Sequence, residues 1–279
     1  MIKLLLAGTP EFSVPIFEEL INNFEVVGIV SQPDRPSQRG RVSVATPTKQ
    51  LAQKYNIVCF QPEKIGDIYD ELSKLEFDYL VTAAFGQFIP TKILGLAKKL
   101  NINVHGSLLP LYRGAAPIQY SVWKGNKTTG VSLMEMVKEM DAGDVFAQAS
   151  VEIDEDDTSA NVFEKIQQLS SKNIVSWINQ LDKDELKRVS QDPDKITYSP
   201  KLNKEDGFIN SEMSIDLALR TIKAFYPNPC AYTFIDNKRV KINFATKTMV
   251  KNAPVIELAD GKIYLTDYHF EGKKRVILK

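Results

Sequence analysis

A chain of 279 residues with 43% hydrophobic and 25% charged residues holds enough apolar material for a sizeable core, arranged as one large domain or one medium plus one small domain. Its 35 Lys and Arg are balanced by 35 Asp and Glu, so the molecule as a whole is no electrostatic magnet for nucleic acid and any such site must be local. The opening apolar run, Leu4 to Ala7, stops at Gly8 and Pro10, too short for a signal h-region or a membrane span, which predicts a cytoplasmic protein with no membrane partner.

In chain order, short apolar runs alternate with helical patterns: Ile2 to Ala7, Val14 to Asn22, Phe24 to Val30, Pro47 to Tyr55, Ile57 to Phe60. This βαβα rhythm predicts a mostly parallel sheet covered by helices. Asp78 to Ala84, Asn101 to Val104 and Val131 to Met136 read as further strands, and Thr158 to Ile178 as a long helix. One α/β domain is therefore expected over residues 1–181. A polar segment over 182–203 reads as a linker, and Ile215 to Phe225 as a short helix. The period then drops to two: Ala231 to Ile235, the turn Asp236-Asn237-Lys238, Val240 to Phe244, Val255 to Leu258, the turn Asp260-Gly261, and Ile263 to Thr266. Residues 204–279 are thus expected to form a small β-rich domain. They carry 13 Lys and Arg against 9 Asp and Glu, a local excess of about +4 that suits an anion.

The two histidines are His105 and His269. His105 stands where the strand Asn101 to Val104 breaks into a loop, and in open α/β sheets sites form at the carboxyl ends of strands. Asn103 lies two residues earlier, on the same strand face. An amide beside an imidazole suits acyl transfer, one group binding a developing oxyanion while the other handles the proton. Asp141, in the turn Glu139-Met-Asp-Ala-Gly-Asp144, is either a simple turn residue or the carboxylate that orients His105. Other chemistries lack their residues. No G-x-G exists for a dinucleotide, Gly125 to Gly130 is followed by Val131 where a P-loop needs Lys, and there is no G-x-S-x-G elbow. Cys59 and Cys230 read as separate buried thiols, and no metal site is expected.

Asn103, His105, the stretch Gly106-Ser-Leu-Leu-Pro-Leu-Tyr-Arg-Gly114 and Asp141-Ala-Gly143 together resemble the signature of the 10-formyltetrahydrofolate-dependent formyltransferases. Further segments, Ala7-Gly-Thr-Pro-Glu-Phe-Ser-Val-Pro15, Gln32-Pro-Asp-Arg-Pro36, Thr46-Pro-Thr-Lys49, Gly114-Ala-Ala-Pro-Ile-Gln119, Tyr198-Ser-Pro-Lys-Leu202 and Ala224-Phe-Tyr-Pro-Asn-Pro229, resemble the branch of that family whose acceptor is initiator methionyl-tRNA. An amino sugar nucleotide is the alternative acceptor, because fold-level likeness does not fix a substrate.

The resemblance implies a Rossmann-like first domain and an OB-like second one, and the sequence departs from the family's pattern after Phe244, where the second domain reads as shortened. It implies Asn103, His105 and Asp141 as the catalytic set, and a monomer is expected. It places the folate against Phe85, Gly86, Gln87, Phe88 and Ile89, against Ser107, Leu108, Leu109 and Pro110, and against Met140, Ala142 and Gly143, with Phe85 and Phe88 readable equally as core aromatics. For the tRNA it implies Pro10 and Phe12, Arg39 and Arg41 in an inserted loop, and Lys201, Lys238 and Arg239 in the second domain. Arginine suits this task through its planar fork of donors.

Overall fold

The computed structural model describes residues 1–36 and 43–278. The chain forms two compact units: Met1–Ala115 with Gly130–Val151 and Glu164–Tyr198, and Ala116–Thr129 with Glu152–Phe163 and Ser199–Lys279.

In the first unit the elements run β1 (Lys3–Gly8), α1 (Ser13–Asn23), β2 (Glu25–Val30), β3 (Arg35–Pro36), β4 (Ser43–Val44), α2 (Pro47–Lys54), β5 (Cys59–Phe60), α3 (Tyr69–Leu72), β6 (Tyr79–Ala83), α4 (Thr91–Leu94), β7 (Leu100–His105) and β8 (Arg113–Gly114). After α5 (Pro117–Trp123) come β9 (Thr128–Glu135), β10 (Val145–Glu152) and the long α6 (Ser159–Asp182). The seven-stranded sheet has the order β10-β9-β7-β6-β1-β2-β5. The pairs β1–β2, β1–β6, β2–β5 and β6–β7 are parallel, while β9 runs antiparallel to β7. Strand β1 is apolar without alternation because both sheet faces are covered: Leu4, Leu5 and Leu6 are fully buried. Helix α1 turns Ile16, Phe17 and Leu20 inward at helical spacing. The Thr46 hydroxyl caps α2 by accepting from Lys49 N–H, with Pro47 in its first turn. Each fully buried Leu or Phe contributes about 1.5–3 kcal/mol of hydrophobic stabilisation.

The chain winds outward from β1 through β2 to β5, then crosses to β6 and β7 on the other side. The order reverses between β1 and β6, and a crevice opens at the carboxyl ends of the strands flanking such a reversal. Ala83 and His105 are the last residues of β6 and β7.

In the second unit, after the two-residue β11 (Tyr198–Ser199), helix α7 (Ile215–Phe225) starts at Ser214, whose hydroxyl accepts from Leu217 N–H. Beside it lies a sheet of β12 (Ala231–Ile235), β13 (Lys238–Thr246), β14 (Val255–Leu258), β15 (Gly261–Phe270) and β16 (Val276–Ile277). The order is β12-β13-β15-β14, with β16 on β15. Asp236 and Asn237 take φ of 49° and 59°, the left-handed pair that a two-residue hairpin matched to strand twist requires. Ala231, Thr233, Val240, Ile242 and Tyr268 form the buried face. Trp123 donates Nε1–H to Thr221 at 2.9 Å and meets the Phe225 ring edge-on, tying α5 to α7 within this unit. Among the described residues no helix is long and apolar enough to cross a membrane.

Candidate active site

His105 is buried, 5% exposed, at the end of β7. Its Nε2 lies 3.0 Å from the Tyr112 carbonyl oxygen, and its Nδ1 lies 3.6 Å from Asp141 Oδ2. A carbonyl only accepts, so Nε2 carries the hydrogen in that contact, and Nδ1 is the atom that can take up a further proton. The Asp141 carboxylate faces that atom at ion-pair distance. Its Oδ2 also accepts from Gly114 N–H at 2.8 Å, which fixes the carboxylate to the loop that supplies the Tyr112 carbonyl.

Asn103 is half-buried on β7, in register with Thr82 of β6 and Met134 of β9. The Thr82 hydroxyl donates to Asn103 Oδ1 at 2.8 Å. That contact sets the orientation of the amide and leaves its Nδ2 as a donor with no partner among the described residues. Three residues around the site hold left-handed backbone that non-glycine residues enter at a cost of about 1–2 kcal/mol each: Ala84 (φ 48°), Tyr112 (φ 61°) and Asp141 (φ 52°). Such strain persists where the surroundings over-determine it, and it clusters at functional sites. Asp141 is a left-handed turn residue whose carboxylate also faces His105.

In the segment after β6, Phe85 is 4% exposed and belongs to the core cluster with Leu5, Val30, Leu80 and Ile89. Its carbonyl accepts from Thr9 Oγ1 and Gln32 Nε2. Gly86 takes φ 76°, and a Cβ there would stand 2.7 Å from Gln32 Nε2, so any other residue would be strained there and would displace the Gln32 amide. The Gln87 amide is occupied at both ends, accepting from Ile65 N–H and donating to Pro62 carbonyl. Phe88 is 73% exposed, which overturns the reading of it as a core aromatic. In the second segment Ser107 is buried and donates to Leu111 carbonyl, Leu108 and Pro110 are half-buried, and Leu109 is buried with its N–H held by Ser132 Oγ. A cavity of about 300 Å³ borders Leu109, Pro110, Val145, Phe146 and Gln191. In the third segment Met140 is 71% exposed, Ala142 is half-buried, and a Cβ on Gly143 would lie 2.1 Å from the Glu135 carbonyl oxygen. Phe88 and Met140 are thus exposed apolar side chains, while the polar groups of Phe85, Gln87 and Ser107 are already held within the protein. Among the described residues no cluster of side chains suits a metal ion.

Of the residues expected to meet a tRNA, Pro10 is half-buried with its carbonyl accepting from Ser13 N–H, and Phe12 is 3% exposed. Arg39 and Arg41 lie outside the described residues. The flanks of their segment pair antiparallel, Arg35 with Val44 and Pro36 with Ser43. Asp34 braces the base of that segment through Lys49, Gln61 and Thr46, and the Lys49 contact is the chief cause holding its carboxyl below the usual range. In the second unit Lys201 and Lys238 are exposed, and the Arg239 guanidinium lies 3.9 Å from the centre of the Tyr232 ring.

Thr82, Tyr112, Arg113, Gly114 and Gln191 join the site without having been singled out for it by sequence. The stretch Gly106 to Gly114 did mark the loop, but the roles of Tyr112 and Gly114 are main-chain roles.

The chain belongs to the formyl transferase family, which it matches over residues 2–178, with the family's C-terminal domain matched over residues 201–278. Among its relatives is a methionyl-tRNA formyltransferase of Mycoplasmopsis pulmonis, 50% identical over 99% of this chain and 96% of that one. The fold is shared with an N-formyltransferase from Helicobacter canadensis solved with folinic acid and dTDP-3-aminofucose (TM-score 0.74, 20% identity, 95% of this chain and 99% of that one). It is also shared with HypX from Aquifex aeolicus solved with tetrahydrofolic acid (TM-score 0.69, 18% identity), of which this chain, matched over 99% of its length, spans 45%.

Proposed function

We propose that this protein transfers the formyl group of 10-formyltetrahydrofolate to the amino group of methionyl-tRNA, the initiator species, in the cytoplasm and as a monomer. The observation that carries the choice of acceptor is the 50% identity, over nearly the whole of both chains, to a methionyl-tRNA formyltransferase. The sugar-modifying neighbours, at 20% identity, share the fold alone.

The reaction needs three things from the protein. The attacking amine must lose a proton, the leaving nitrogen of the folate must gain one, and the formyl oxygen must be stabilised as it becomes negative. Asn103 Nδ2, oriented by Thr82, donates to that oxygen. His105 Nδ1 takes the proton released by the amine and returns it to the leaving nitrogen, so no net proton is consumed. Asp141 stabilises the imidazolium that exists between those two transfers. The segments at Phe85–Ile89, Ser107–Pro110 and Met140–Gly143 would hold the folate, which supplies the activated one-carbon unit. Pro10, Arg39, Arg41, Lys201, Lys238 and Arg239 would serve the tRNA, whereas Phe12, 3% exposed, packs in the core and offers no surface for it.

The test is formyl transfer from 10-formyltetrahydrofolate to methionyl-tRNA measured beside transfer to a dTDP-linked amino sugar. Methionyl-tRNA is expected to be the better substrate by orders of magnitude in kcat/KM. Preferential formylation of the sugar would overturn the assignment.

A further inference from the structure

Residues 189–197, inside the stretch that sequence reads as a polar linker, lace together both loops that build the catalytic constellation. Val189 exchanges main-chain hydrogen bonds with Val145, and Ser190 donates to Asp144 Oδ1 at 2.9 Å. At the other end Thr197 accepts from Tyr112 N–H through Oγ1 and from Arg113 N–H through its carbonyl, while its own N–H donates to Pro110 carbonyl. Between these ends stands Gln191. Its Nε2 donates to the Asp141 carbonyl at 2.8 Å and to the Gly143 carbonyl at 2.7 Å, and its Oε1 accepts from Arg113 Nε at 2.9 Å.

One side chain thus grips the turn that carries Asp141 and the loop that carries Tyr112 and Gly114. These are the two partners that fix the His105 ring and the donor that fixes the Asp141 carboxylate. Asp141 sits in left-handed backbone that must be held from outside, and the donor pair of Gln191 is what holds its carbonyl. We propose that Gln191 is a positioning residue for formyl transfer, acting through Asp141 to keep the carboxylate against His105. The proposal rests on the catalytic role assigned to Asp141 above. The effect is on geometry: a displacement of about 1 Å in such a constellation costs on the order of 10²-fold in rate.

The experiment compares Gln191→Ala and Gln191→Glu in the full chain, each also made in an Asp141→Asn background. Gln191→Glu keeps the shape and the acceptor for Arg113 but turns a carboxylate oxygen toward two carbonyls in place of a donor. Rates are normalised to sites that bind folate, and thermal melts show that each variant is folded. At saturating folate, kcat is expected to fall about 10- to 100-fold in both variants, with KM for methionyl-tRNA within about twofold of the parent. In the Asp141→Asn background the same changes should cost less than about twofold, because the group they position has already been removed. A kcat within twofold of the parent, or an undiminished loss in the Asp141→Asn background, would overturn the proposal. Failure of the unmodified enzyme to formylate methionyl-tRNA would instead overturn the assigned function.

Discussion

Replacing Asp141 by Asn separates the charge of this residue from its place in the fold. Asn tolerates left-handed backbone about as well as Asp, and its side-chain oxygen can still accept from Gly114 N–H. The turn should therefore survive. What disappears is the negative charge 3.6 Å from His105 Nδ1, between side chains that are only 5% and 14% exposed. At an effective dielectric constant of about 20, opposite charges at that separation attract by roughly 4–5 kcal/mol. Only the part realised when the imidazole is protonated counts toward the rate, so about 2.7–4 kcal/mol is expected, a loss of about 10²- to 10³-fold in kcat. The assay is single-turnover formylation of methionyl-tRNA at saturating folate, with a thermal melt alongside. Asp141→Ala is the control. It loses the hydrogen bond and enters left-handed backbone at added cost, so it should melt several degrees lower than Asp141→Asn while losing similar activity. An Asp141→Asn enzyme within about threefold of wild-type kcat would refute the reasoning, since it would show that the carboxylate contributes shape and not charge.

Thr82→Val, which keeps the volume but removes the hydroxyl that orients the Asn103 amide, should lower kcat about 3- to 10-fold and stability by about 1–3 kcal/mol; kinetics and chemical denaturation check both. Arg39→Ala should raise the KM for methionyl-tRNA and leave folate affinity, measured by fluorescence titration, unchanged. His269 is held below the usual histidine range by burial and by Lys241 and Arg275, with Asp267 opposing. It is therefore neutral in the folded state at a pH where the unfolded chain already binds a proton, and stability should fall as pH drops below about 6.5 toward its folded-state value. A melting series should show that slope diminished in His269→Gln.

The parts of the fold that sequence made legible are those where one pattern dominates. Helix α7 and strands β12 and β14 occupy the residues expected of them, because an amphipathic period, a Ser cap and a two-residue turn mark their ends. Strand β10, Val145–Glu152, escaped notice because its alternation is written in Ala, Ser and Gln rather than in large apolar residues. Helix α5 is only seven residues long and rich in Ile, Tyr, Val and Trp, which favour strands. At the site, residue type and the strand end single out Asn103 and His105, while Asp141 reads from its own context as a turn residue or a partner of His105, and only the family resemblance joins the three as a set. The roles of the Tyr112 carbonyl, the Gly114 N–H and Gln191 were not readable, since main-chain contacts and partners 50 residues apart leave no local period. Phe88 could not be assigned from its own sequence context, and only its exposure separates it from Phe85.

The central claim is that Asn103, His105 and Asp141 act as one unit in formyl transfer to methionyl-tRNA. Single-turnover rates at saturating folate for Asn103→Ala, His105→Ala and the double variant test it most directly. Each single change should cost about 10²- to 10⁴-fold, and the double variant should be little slower than the worse single one, because groups serving one transition state do not contribute independently. A near-normal rate for His105→Ala, or losses that simply multiply, would contradict the account.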